Sequence, residues 1–381
     1  MVASGFVVNV GWGICWPYLN YRLYDIGAAY LHISLMDSLA AMTYLLSRLW
    51  GALSDYYGRR KPFMVLGFLA SAVPVALMAL FSRSIWALLA LYVLSCFSWG
   101  VAFPALVAAL TSDPEREKAT ASYSLVGSLG WALGSSIMGL LEEGLGPEGT
   151  FLTSFAFLLA FPLILTAYDE AELPRKEEPL GTYLRGALSP RFRAREGFGL
   201  LLAGVFLSWL GLQWAGPPMR VKIYDALGRS KKLVGLLMGV NSVVAAAALA
   251  LGRKAVEKIG GLRTLSLSVA CYAIMIPVFA LASSPAVLVA IWLMPVWPFF
   301  MLGYMLSPAE FSSEDTRAEA VGSCEVLKNV GVILGLFGGL VADLIGPEGS
   351  LFLSALPLSL ALLPMLMSYR ALRAGPRRPW S

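Results

Sequence analysis

Long apolar runs alternate with short polar or glycine-rich breaks along the whole chain. They fall at 4–24, 34–54, 62–81, 85–110, 120–142 and 150–168, then at 197–216, 233–252, 263–282, 286–306, 320–343 and 350–369. Each is close to the roughly 20 apolar residues that carry a helix across a hydrocarbon core about 30 Å thick. Backbone groups in that core find no water, so the runs are expected to be helical. The pattern predicts an all-α integral membrane protein with twelve transmembrane helices, six on either side of a charged stretch. The expected organisation is a six-helix bundle over 1–168, a surface linker over 169–196 and a second six-helix bundle with a short basic tail over 197–381.

The two sets of runs resemble each other. Gly146, Pro147, Glu148 and Gly149 recur as Gly346, Pro347, Glu348 and Gly349, each time before a hydroxyl residue and a new apolar run. At an offset of 201, Arg116, Ala119, Ser122, Gly130 and Gly134 match Arg317, Ala320, Ser323, Gly331 and Gly335. Glu142 and Asp343 are equivalent in the same repeat and read as helix-end acids. Duplicated helical units are a transporter trait, with the solute handled at the interface between repeats.

Composition sharpens the membrane reading. Of 381 residues, 58% are hydrophobic and only 14% charged, against about 25% charged in soluble domains. Cys15, Cys96, Cys271 and Cys324 are far apart in apolar runs and form no metal-ligand pattern. His32 is the only histidine, which disfavours a His-dependent enzyme or metal site. No phosphate loop ending in Gly-Lys-Ser or Gly-Lys-Thr occurs, so ATP is not the expected energy source, and no cofactor is expected. Met1 is followed by no basic segment, so no cleavable signal peptide is expected. With the N-terminus placed in the cytoplasm, twenty Lys and Arg fall on the inner side and seven on the outer, Arg220 and Lys222 among the seven. That asymmetry puts both termini on the cytoplasmic side of a cell membrane, and the basic surplus suits an anionic membrane surface better than nucleic acid.

Between the second and third runs stand Gly51, Leu53, Asp55, Gly58, Arg59, Arg60 and Lys61. This resembles the G-x-L-x-D-x-x-G-R-R/K-K/R signature of the major facilitator superfamily, departing from it at Tyr56, where a basic residue is usual. A worn counterpart, Glu257 to Gly260 followed by Arg263, stands at the matching place of the second half. The resemblance implies two six-helix bundles related by pseudo-twofold symmetry, working as a monomer by alternating access. It also implies that Asp55 faces the start of helix 11, and that Arg59 pairs with an acid ending helix 4. Asp113 stands there, followed by Arg116. Gly51, Asp55, Gly58, Arg59, Arg60, Asp113 and Arg116 are therefore expected to form a conformational gate. Gly51 would admit a close neighbouring helix, and Gly58 a tight turn.

Charges within membrane helices are costly and tend to be functional. At 100° per residue, Asp37, Arg48 and Asp55 fall within about 20° of one another on helix 2. Helix 11 carries Glu325, Lys328 and Asn329. One reading pairs Arg48 with Glu325 across the halves; the other lets both snorkel to the inner surface. Lys328 either binds an anionic part of the solute or pairs with Glu325. Asp37 is either a proton site or an interfacial acid.

Aromatic and polar residues complete the candidate set. By the resemblance, helices 1, 4, 7 and 10 line the cavity, and seven of the eight tryptophans placed in helices lie there. Trp16, Trp99, Trp131, Trp209 and Trp292 are candidate lining residues, with Asn9, Gln213 and Asn241 supplying polar contacts. Gly127, Gly130 and Gly134 resemble the glycine-rich helix 5 of drug/proton antiporters, but Trp131 replaces its proline, and helix 4 lacks their arginine. The leading expectation is export of a small amphipathic solute, with protons or another ion for coupling. Uptake of a sugar or organic anion is the alternative, and a transporter-like membrane sensor is the reading from a different class.

Overall fold

The computed structural model describes residues 2–111, 116–168, 170, 175–188, 196–313 and 316–374. Among them every regular element is helical. The chain begins with α1 (Val2–Asp25), then α2 (Tyr30–Tyr44) and α3 (Ser47–Tyr57), which divide the second run. Next come α4 (Lys61–Leu80), α5 (Ile85–Thr111) and α6 (Arg116–Thr166), followed by α7 (Leu180–Leu188) in the linker. The second half has α8 (Phe198–Ala226), α9 (Lys231–Ile259), α10 (Gly261–Leu281), α11 (Pro285–Trp292) and α12 (Val296–Leu306). A 3-10 turn (Ser307–Phe311) leads into α13 (Arg317–Leu334), α14 (Leu336–Ile345) and α15 (Pro347–Ala374).

Among the described residues nine segments are long and apolar enough to cross a membrane, the longest covering both runs of α6. That helix breaks at Gly146, whose φ of 71° is left-handed. Gly346 repeats the conformation with φ 86° between α14 and α15. Only glycine adopts it without steric cost, which explains why the same four-residue turn stands in both halves. Bulky apolar side chains point outward along the helices, as at Leu251, which is 86% exposed. Such a surface suits lipid.

Two expectations about the helices change. The seventh run does not stop near Gly216; α8 continues through Pro217 and Pro218 to Ala226. A proline pair reads as a helix stop in water, but membrane helices tolerate it where neighbours satisfy the freed backbone groups. Arg220 and Lys222, counted as outer-loop cations, therefore lie inside a helix. The second run, in turn, is interrupted at Leu45–Leu46, where Leu46 N bonds Thr43 O and Leu49 N bonds Leu46 O in three-residue steps. A single helical wheel through Asp37, Arg48 and Asp55 does not survive that break.

Packing divides the chain into two compact units that do not follow the sequence halves. The first comprises Met1–Ala28, Met42–Ser189 and Leu227–Ser242; the second comprises Ala29–Ala41, Pro190–Ala226 and Val243–Ser381. Each unit thus contains a short segment from the other sequence half. In the first, α1 packs along α6, where a side chain on Gly130 would collide with the Phe6 carbonyl and one on Gly11 would sit 2.8 Å from Leu158 Cγ. In the second, α8 packs along α13 and α15 in the same way. A Cβ on Gly331 would lie 2.7 Å from Phe206 O, and one on Gly211 would lie 2.6 Å from Leu358 Cγ. The repeated glycines are places where one backbone touches another helix.

The exchanged segments obey the same rule. On α6 of the first unit, a Cβ on Gly139 would strike the Lys231–Lys232 backbone, and Gly235 of α9 sits against Ser135 O. In the second unit, a Cβ on Gly339 would strike Ser34 Oγ and the Tyr30 carbonyl of α2.

Candidate functional site

Among the described residues, four clusters of charged and polar side chains bear on the candidate residues. The most buried is in the second unit, where α2 meets α8. Asp37 Oδ2 accepts from Arg220 Nη2 at 2.8 Å and from Gln213 Nε2 at 3.0 Å. The side chains of Arg220 and Asp37 are only 10% and 12% exposed. Gln213 and Arg220 are seven residues apart, so they share one face of α8. The position of α2 is fixed nearby: Asp343 accepts from Tyr30 N at 2.9 Å and Leu31 N at 3.0 Å. These are donors that a helix start leaves without partners. The next residue after Asp37, Ser38, donates its Oγ hydroxyl to Val332 O. Asp37 and Gln213 were legible as candidates; Arg220 was not, because it follows the two prolines.

The repeat-equivalent position in the first unit does a different job. Glu142 accepts from Tyr18 Oη at 3.1 Å and from Lys231 Nζ at 2.8 Å. Lys231, 10% exposed, also pairs with Asp25 at 2.5 Å and lies over the Tyr18 ring. Glu142 and Asp343 are therefore not idle helix-end acids: each holds the first turn of a helix from the other sequence half. Asp343 holds bare N–H groups, and Glu142 holds a lysine side chain.

The third cluster lies on α8, α12 and α13 of the second unit. Lys328 pairs with Glu325 three residues before it. Its Nζ stands 5.6 Å from the centre of the Trp209 ring. Glu325 Oε1 accepts from Tyr304 Oη at 2.8 Å. Of the two open readings for Lys328, the geometry has the pair with Glu325. Asn329, on the same helix, is buried.

The fourth cluster surrounds the signature loop in the first unit. Gly58 caps α3 with a left-handed φ of 63°, and a Cβ on Gly51 would come 3.2 Å from Pro104 Cβ of α5. The second arginine, Arg60, reaches Asp55 at 3.5 Å and donates to Ala108 O at 3.0 Å, while Arg59 is exposed. Glu170 accepts from the backbone N–H of Arg60 and of Lys61, capping α4. Glu310 caps α10 in the second unit through Gly261 N and Leu262 N. Neither cap stood out in the sequence, because each acid is distant along the chain from the helix start it serves. Asp113 and the side chain of Arg116 lie outside the described residues. Arg48 Nη2 donates to Ala187 O, at the end of α7, at 2.8 Å, and Arg175 stacks over Tyr56 and Tyr57.

The remaining candidates are all half-buried. Trp99 packs against Trp12, Phe68 and Phe103, and Trp16 lies 5.9 Å from Trp131. Trp209 is ringed by Trp297, Phe300 and Tyr304, and Trp292 meets Phe279. Asn9 donates to Gly5 O within its own helix at 2.8 Å, and Asn241 is half-buried on α9.

A duplicated, all-helical fold with lipid-facing apolar surfaces and paired charges inside defines a multi-pass membrane protein of the kind that moves solutes. The Major Facilitator Superfamily model matches residues 1–209 and again 201–380, so the chain belongs to that family of membrane transporters. The multi-drug resistance efflux pump PmrA of Streptococcus pneumoniae serotype 4 is 28% identical over 259 residues, 63% of this chain and 61% of that protein. The match thus spans about three fifths of that relative's length. Among solved structures, the nucleoside transporter NupG superposes with a TM-score of 0.74 at 11% identity, over 97% of this chain and 98% of that one. A bacterial homologue of the human lysosomal transporter Spinster, inward-facing and occupied, gives 0.73 at 15% identity over 99% and 96%. At such identities these two likenesses are of fold.

Proposed function

We propose that this chain is a secondary active transporter that exports small amphipathic compounds from the cell by alternating access, coupled to protons. Twelve transmembrane helices, both termini in the cytoplasm of a cell-membrane monomer, and bundles over 1–168 and 197–381 joined by a 169–196 linker form the frame of that reading. The observation that carries it is the Asp37–Arg220–Gln213 cluster, a buried ion pair joining α2 of the first sequence half to α8 of the second. Each charge at a helix centre costs about 2.5–3.5 kcal/mol in lipid. A pair kept buried between helices, across the two sequence halves, suits a contact that forms in one state of a cycle and breaks in another. Export rather than uptake is supported by the likeness to the efflux pump PmrA.

In the same reading, Gly51, Asp55, Gly58, Arg59, Arg60, Asp113 and Arg116 form the inner gate. Arg48 leaves the Ala187 carbonyl for Glu325 at another step. Asn9, Trp16, Trp99, Trp131, Trp209, Gln213, Asn241 and Trp292 line the path. Purified protein in proteoliposomes with an imposed proton gradient tests the whole. Gradient-dependent movement of amphipathic dyes, lost in Asp37→Asn, is the expected result. Movement of sugars or organic anions alone would replace export with uptake. Absence of exchange across a broad solute panel would favour a sensor.

A further inference from the structure

The Trp209 cluster combines two kinds of group that differ in how firmly they are held. The π face is fixed: Trp209 meets Trp297 edge-on at 5.7 Å, Phe300 at 5.4 Å and Tyr304 at 5.8 Å. The carboxylate of Glu325 is anchored by Tyr304 Oη at 2.8 Å. Between carboxylate and ring sits the ammonium of Lys328, on a flexible four-carbon stem, with its side chain 23% exposed and that of Glu325 42% exposed.

An aromatic face beside a carboxylate is a receptor for a weakly hydrated cation. An ammonium on a long stem is the part of this cluster that can leave: swinging it out costs rotamer changes, the Glu325 ion pair and the ring attraction, and an incoming cation replaces the last two. We infer that Glu325, Tyr304 and Trp209 form a binding site for a lipophilic aromatic cation, and that Lys328 is a tethered stand-in that such a cation displaces. The opposite arrangement, with Lys328 as a receptor for an anion, requires the anchored group to move and the mobile one to stay. The inference rests on the transport reading above and names the solute class for it.

The test is equilibrium binding to the purified full chain, read by tryptophan fluorescence, with tetraphenylphosphonium and its isosteric anion tetraphenylborate as probes. The phosphonium is expected to bind and the borate to bind at least about tenfold more weakly, a gap of about 1.4 kcal/mol. Lys328→Met removes the competitor and is expected to tighten phosphonium binding by about threefold or more, while Glu325→Gln weakens it by about tenfold. The double variant, which leaves no unpaired charge, should bind the phosphonium as weakly as Glu325→Gln does. Weaker phosphonium binding in Lys328→Met, or borate binding that depends on Lys328, overturns the inference. Proteoliposome transport separates the two readings: cation efflux unchanged in Glu325→Gln removes this site and keeps the transporter. Intact, Glu325-dependent binding without movement of any solute keeps the site and removes the transporter.

Discussion

At the scale of single residues, Asp37 and Arg220 are the sharpest case of mutual dependence. Each is nearly sealed from solvent and each neutralises the other. Removing one takes from the other the ion pair that offsets its burial, a change that costs about 3–5 kcal/mol in buried pairs, whereas replacing both with apolar groups of similar size is close to neutral. Arg220→Met is therefore expected to lower the thermal unfolding midpoint strongly. Asp37→Leu with Arg220→Met should recover most of the loss without recovering transport. Additive losses in the double variant would show that the pair is not the source of the effect. The acid and the glutamine could be picked out from the sequence as polar residues in apolar runs. The arginine was hidden by Pro217 and Pro218, because a proline pair ends a helix in water and here does not.

At the scale of elements, the contacts between helices are made by glycines and their ends by distant acids. Gly130 and Gly331 occupy equivalent places against the Phe6 and Phe206 carbonyls. Valine at either site is expected to abolish folded, monodisperse protein, as judged by size-exclusion profile. Alanine at Gly181 or Gly322, which have open space around them, should leave the profile unchanged. Asp343→Ala removes the acceptor from Tyr30 N and Leu31 N. Loss of such a cap typically costs about 0.5–2 kcal/mol, and faster hydrogen exchange at those two amides, with little change elsewhere, is the expected reading. Asp343→Asn keeps an acceptor and should protect them better than alanine. The glycine repeat was visible in the sequence as an order of matches; its cause, backbone against neighbouring helix, was not.

At the scale of the molecule, each compact unit borrows a segment from the other sequence half: Ala29–Ala41 in one case and Leu227–Ser242 in the other. Alternating access in the proposed cycle requires at least one borrowed segment to leave its seat. Gly339 faces Ser34, and Gly239 faces Ser136. In a background without Cys15, Cys96, Cys271 and Cys324, Ser136→Cys with Gly239→Cys is expected to cross-link under oxidation and stop transport, with recovery on reduction. Full transport by quantitatively cross-linked protein would mean that this seat stays closed throughout the cycle.

By itself the sequence determined that the chain is helical, that its helices are apolar enough for a membrane, that it is duplicated, and that it carries a transporter signature. Those properties follow from burial of apolar surface, which is non-directional and accumulates along the chain, and from turns that only glycine can make. Tertiary structure alone decided which charged side chains meet groups on other helices. An ion pair depends on helix rotation, on breaks such as Leu45–Leu46, and on which segment is lent to which unit. Arg48 therefore meets a carbonyl of α7, Lys328 meets Glu325 over an indole, and Asp37 meets an arginine nearly two hundred positions away.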